Sequence, residues 1–365
     1  MGGQQAITTD ALGVAVAARV PVLLWGAPGT GKTSAVRALA AAKGWACETV
    51  IASIREPSDF AGLPIVVEGG VRFAPPTWAR RLADGGPSVL FLDEISTAPP
   101  AVQAALLRVV LERVVGDLEL PADVAVVAAA NPPEQAADGW DLSAPLANRF
   151  CHLSWNVDPQ ALAEGMAGGF PAPRVPVLPE AWDEQVVLAK ALVGAFLGVR
   201  PALACVPPTD AAQAGRAWPS PRTWEMAAQL WSAATTAGAD VDVRAALVCG
   251  AVGEGPGLEL MTWIDEMDLP DPEAVLADPA SFVLPDRGDR AYAALSSVAA
   301  AVAANATPER WVAGWQVLGR AGEHAPDVAA MAARVLARCR PSGTPAPPEI
   351  KAFVPLLRHA GLMDG

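Results

Sequence analysis

Residues 26–33 read GAPGTGKT and fit the spacing G-x-x-x-x-G-K-[ST]. Gly26, Gly29 and Gly31 permit backbone angles that turn amides inward, and Ala27, Pro28 and Thr30 fill the loop between them. Amides arranged this way, at the start of a helix continuing through Ser34, make a cradle for phosphate oxygens. Lys32 is spaced to reach β and γ oxygens and Thr33 to ligate Mg²⁺. About sixty residues on, VLFLDEI ends an apolar run in two carboxylates. Asp93 would hold the metal through water. Glu94 would orient and deprotonate an attacking water. Asn131, closing VVAAAN, is a neutral amide able to hold that water or a γ-phosphate oxygen without competing for its proton. Two arginines complete the set. Arg222 lies in the first turn of the helix opened by Ser220 and Pro221, where the helix dipole disfavours a cation unless an anion is near. Arg149, in SAPLANRF, reads either as a solvated charge at a strand edge or as a group aimed outside its own subunit.

These residues must be carried by something rigid. The first 155 residues alternate short apolar runs with helical patterns, as a parallel sheet with crossover helices does. Expected strands are 20–25, 47–51, 88–93, 124–130 and 150–155, apolar almost throughout because both faces are covered. The run after Lys32 has Val36, Leu39 and Ala40 at helical spacing and stops at Gly44. Residues 62–76 read as a β-hairpin about Gly69 and Gly70, and 113–121 as another turning at Gly116 and Asp117. The Pro/Gly-rich stretch 158–180 reads as a linker or irregular loop. Helices are expected over 181–198, 208–217, 221–237, 242–252, 258–267, 289–305, 308–320, 326–339 and 348–361. In the 221–237 helix, Trp224, Ala227, Ala228 and Trp231 form a packing stripe that leaves Arg222 free.

Composition narrows the class. The 365 residues are 52% hydrophobic and 18% charged, a globular balance with room for two or three domains. No run is long and apolar enough for a membrane span and no signal peptide is visible, so a cytoplasmic, membrane-free chain is expected. Five scattered cysteines without a CxxC pair fit reduced thiols. His152, His324 and His359 stand at no metal-ligand spacing and read as core or surface residues. A net charge of −13 disfavours nucleic acid as a partner, although ARRLADG is locally basic. Twelve tryptophans, mostly at helical spacing, read as packing.

Taken in order, GAPGTGKT, FLDEI, AAANPPE, LANRF and SPRTW resemble the AAA+ ATPases. The 62–76 hairpin and DEISTAPPAVQAALLRVVLER resemble the helix-2-insert clade, its MoxR-like and dynein- and midasin-related group, over about residues 7–235. The resemblance implies a P-loop αβα domain over 1–156, a helical lid over 157–262 and a helical extension over 263–365. It makes Lys32 and Thr33 Walker A residues, Asp93 and Glu94 Walker B, Asn131 sensor 1 and Arg222 sensor 2. Arg149 matches the arginine finger, which acts on ATP in the neighbouring subunit. ATP, Mg²⁺, a homo-oligomeric ring (commonly a hexamer), a partner with a von Willebrand factor A domain and chaperone-like remodelling are implied with it. Alternatives are a nucleotide-gated switch with little turnover and a nucleic-acid-directed motor. Many MoxR-like chains carry an acid before the finger; Asn148 stands there instead.

Overall fold

The computed structural model describes residues 3–132, 140–179, 182–322, 325–359 and 361–362. His324 lies outside them, as do Pro133 and Glu134 of AAANPPE. Two compact units are present, 1–178 with 204–258, and 179–203 with 259–365.

In the first unit the strands are, in chain order, β1 (Val22–Trp25), β2 (Ala46–Ile51), β3 (Leu63–Val67), β4 (Gly70–Ala74), β5 (Ser88–Asp93), β6 (Val114–Val115), β7 (Leu118–Glu119), β8 (Val124–Ala130) and β9 (Cys151–Ser154). Five form one parallel sheet in the order β2-β5-β8-β1-β9. All residues of β1 and β8 are buried, because central strands of a parallel sheet are covered on both faces. Leu23, Leu90, Leu92, Val126 and Phe150 meet Val102, Leu106 and Val109 of helix Pro100–Glu112 in one core. The helices flanking this sheet make the P-loop αβα architecture expected from the sequence.

Both hairpins form. The longer one pairs Val67 with Gly70, so its turn is Glu68–Gly69, one residue before the expected position. The shorter one pairs Val115 with Leu118 about Gly116 and Asp117.

Two expectations are corrected and one helix was not expected. The 158–180 stretch contains helix Pro159–Gly168, whose start is capped by the Asp158 carboxylate accepting from the Gln160 amide. Proline at the first helical position and Gly169 after the last are ordinary helix punctuation, here hidden in a Pro/Gly-rich composition. Over 208–217 only Ala211–Ala214 is helical, with Gly215 directly after its end. Helix Gln4–Ala17 had no expected counterpart: Ala11 through Val16 are consecutively buried, and a helix covered on every side shows no 3.6-residue pattern.

The second unit is helical. Trp182–Val199, Gly288–Ala304, Pro308–Gly322 and Pro326–Arg338 are its longer helices, packed around fully buried Trp311 and Trp315. Its last expected helix is a 3₁₀ segment, Pro348–Phe353, followed by Val354–His359.

Candidate active site

The carboxyl end of β1 delivers the glycine-rich loop. The Gly26 amide donates to the Ala130 carbonyl at 3.1 Å, so the loop leaves the sheet in register with β8. A Cβ at Gly26 would lie 2.3 Å from the Trp155 carbonyl oxygen, which leaves no room for any side chain. Gly29 (φ 78°) and Gly31 (φ 87°) take the left-handed conformation that turns the loop into the helix beginning at Lys32. The Trp155 indole N–H donates to the Thr30 carbonyl at 3.0 Å, and the Thr30 hydroxyl to the Ala27 carbonyl at 2.8 Å. Pro28, Gly29, Gly31 and Ser34 stay exposed on the outer side.

Lys32 is buried, and its three donors have three acceptors. They are the carbonyls of Gly26 (2.5 Å) and Ala27 (3.0 Å) and the side-chain oxygen of Asn131 (3.3 Å). Burial pulls its pKa below the ordinary lysine value, and the charge of Asp93 pushes the other way. The Thr33 hydroxyl donates to Asp93 Oδ2 at 3.0 Å. One hydroxyl beside one carboxylate suits a hard cation completed by phosphate oxygens and water. Among the described residues no group of three His, Cys, Asp or Glu could hold a metal unaided. Thr33 and Asp93 thus fit Mg²⁺ as a companion of a phosphate ligand.

Glu94 has φ 54°, a left-handed angle that a non-glycine residue adopts at some cost. Its amide donates to Asp93 Oδ1 at 3.0 Å, and its Oε2 accepts from the Ser53 hydroxyl at 2.5 Å. Asn131 follows β8, which lies between β1 and β5 in the sheet. Its amide therefore sits between the glycine-rich loop and the acidic pair, and its carbonyl accepts from Ser96 at 3.4 Å.

Arg149 is half-buried, between fully buried Ala147 and Phe150 on either side of Asn148–Arg149. One guanidinium nitrogen donates to the Pro145 carbonyl; Nε is enclosed without a hydrogen-bond partner. Burial, and then the charge of Arg222, hold its pKa below the ordinary arginine value. Arg222 is exposed at the start of helix Pro221–Thr236. Ser220 caps that helix reciprocally with Thr223, and Trp224, Ala227, Ala228 and Leu230 bury its inner face, with Trp231 half-buried. The structure therefore brings Lys32, Thr33, Asp93 and Asn131 together, with Glu94 adjoining Asp93, and ties the Arg149 segment to the start of the Arg222 helix, where the Ser220 hydroxyl donates to Asn148 Oδ1 at 2.9 Å. Among the described residues no hydrogen bond or ion pair ties Arg222 to the Lys32 group.

Residues 21–150 match the family model for the AAA domain of the dynein-related subfamily. This segment is an AAA domain. A MoxR protein from Methylorubrum extorquens is 40% identical over 104 residues, 28% of this chain and 30% of that protein. A Nif-specific regulatory protein from Rhodobacter capsulatus is 38% identical over 153 residues, 36% of this chain and 24% of that protein. The chain thus spans less than a third of the length of these curated relatives. A solved protein from Cytophaga hutchinsonii, described as a candidate ATPase, aligns over 67% of this chain and 80% of that one, at 19% identity and a TM-score of 0.40. AAA domains as a family bind and hydrolyse ATP, and this one is MoxR-like in sequence. No helix among the described residues is long and apolar enough to cross a membrane.

The first unit also carries contacts that residue types alone did not mark. Ser53 reaches Glu94 because β2 pairs with β5, Ile51 opposite Asp93. Trp155 reaches Thr30 because β9 pairs with β1. The Trp25 indole donates to His152 Nδ1 at 2.9 Å, so His152 carries its proton on Nε2 and donates it to the Ala147 carbonyl at 2.9 Å. The Arg216 guanidinium lies 4.0 Å from the centre of the Trp25 ring. His152 thus has the structural role expected of it.

Proposed function

We propose that this chain binds ATP with Mg²⁺ and hydrolyses it at the interface between its own copies in a ring. The observation that carries the reading is the meeting of Lys32, Thr33, Asp93 and Asn131 at the carboxyl ends of β1, β5 and β8, where open parallel sheets bind ligands. The backbone N–H groups of the loop from Gly29 to Ser34, together with Lys32, hold the phosphates; Pro28 has no N–H to offer. Thr33 and Asp93 would hold Mg²⁺, which when bound would supply positive charge against the phosphate oxygens. Asn131 positions the lytic water. As its oxygen bonds to the γ-phosphorus, the proton passes to Glu94 and the bond to the β–γ bridging oxygen breaks, leaving ADP and phosphate.

A single copy that groups Arg149 with Arg222 sets two cations near each other, which favours a polyanion between them. We assign both to the γ-phosphate bound by the adjacent copy, where they stabilise charge in the transition state. Residues 157–262 serve as the lid. A protein partner with a von Willebrand factor A domain is the target of the work, in the cytoplasm. Glu94→Gln should bind ATP as the unaltered protein does and lose about 10²–10⁴-fold in kcat, the range for removing a general base. Unchanged turnover would overturn the assignment.

A further inference from the structure

We infer that Asn148 is the positioning residue that fixes the spacing between Arg149 and Arg222. The inference rests on the reading of those two arginines as phosphate-directed groups. Asn148 is 3% exposed and directly precedes Arg149. Both ends of its amide are committed to one short segment. Its Nδ2 donates to the Trp218 carbonyl at 3.4 Å, and its Oδ1 accepts from the Ser220 hydroxyl at 2.9 Å. The orientation is forced, since a carbonyl can only accept and so must face the NH₂. Ser220 is the residue on which the Arg222 helix starts. The side chain of the residue before Arg149 thus holds the Ser220 hydroxyl, two residues before Arg222, and the Trp218 backbone carbonyl, four residues before it.

The helix start does not need this tie. The Ser220 and Thr223 side chains already satisfy each other's backbone amides, and the Thr223 hydroxyl reaches the Trp218 carbonyl at 2.9 Å. What Asn148 adds is a fixed distance between two guanidinium groups that repel each other. An amide suits this better than a carboxylate. Aspartate would accept from Ser220 but face the Trp218 carbonyl with like partial charge. It would also draw the guanidinium groups onto itself, away from a phosphate. A neutral side chain holds the pair together and leaves both charges available.

The test uses the full chain, in ATPase assays and in mixtures of variants. Asn148→Ala and Asn148→Asp should each lower kcat by about 10- to 100-fold, the cost of misplacing a group by about 1 Å, with the KM for ATP within about twofold. Glu94→Gln copies bind ATP and keep their arginines, so mixing them with Asn148→Ala copies should restore part of the activity, as mixing with Arg149→Ala should. If Arg149→Ala retains full activity, or gains nothing on mixing, the reading of the arginines fails. If Arg149→Ala behaves as expected while Asn148→Ala is fully active, or raises KM, or is not restored on mixing, the inference about Asn148 alone is overturned. Asn148→Asp matches the original in size, so its loss of kcat with unchanged ATP affinity separates positioning from unfolding.

Discussion

The His152 contacts make stability depend on pH in a way that can be calculated. The ring accepts the Trp25 indole proton at Nδ1, so a second ring proton would point at another donor. Burial disfavours the charged ring, and the nearby Arg216 adds to that effect; the Ala147 hydrogen bond opposes both only in part. The result is a pKa lowered from 6.5 to about 4. The unfolded chain therefore takes up a proton near pH 6.5, and the folded chain only near pH 4. Between those values the unfolded state binds more protons, so stability falls as pH falls, and the contribution is complete above pH 6.5. At about 1.4 kcal/mol per pH unit the gap amounts to up to ~3 kcal/mol, reduced in so far as water reaches the half-buried ring. Near pH 5, where the difference in bound protons is close to one, the slope is about 1.2 kcal/mol per pH unit.

Amide exchange of β1 and β9 reports this strand pair directly, and is not blurred by the second unit unfolding separately. It should be followed from pH 7 to pH 4.5, corrected for intrinsic exchange, in the unaltered protein and in His152→Gln. Carboxylates titrate in the same window, but their contribution is common to both proteins and cancels. The unaltered protein should lose protection more steeply on acidification, and histidine-selective NMR should place the His152 midpoint near pH 4. Parallel pH dependences, or a midpoint at pH 6.5, would refute the reasoning.

Two substitutions follow from packing. Gly26→Ala places a Cβ against the Trp155 carbonyl oxygen and should lower the melting temperature of the AAA domain, with a cost of about 1–3 kcal/mol, and weaken ATP binding measured by fluorescence titration. Trp224→Ala empties the inner face of the Arg222 helix at a site 2% exposed, and should cost about 3–5 kcal/mol in denaturant unfolding while leaving Lys32 and its neighbours in place.

The parts of the site legible in the sequence are those written within one short segment. GAPGTGKT needs only its own backbone angles and the helix behind it, and Asp93 and Glu94 need only the apolar strand that ends in them. Their strands were legible for the same reason, since a run covered on both faces is apolar almost throughout. What was not legible depends on which strand lies beside which. Nothing in CHLS announces that β9 runs alongside β1, yet that pairing takes His152 to Trp25 and Trp155 to Thr30. Asn148 is the sharpest instance. As a residue type before an arginine it showed only a departure from a familiar pattern, because its meaning lies some seventy residues further along, in the Trp218–Ser220 segment it holds. Segment-local motifs therefore identify the groups proposed to touch phosphate. The groups that set distances between them are specified by topology, and become visible only when hydrogen-bond partners are named.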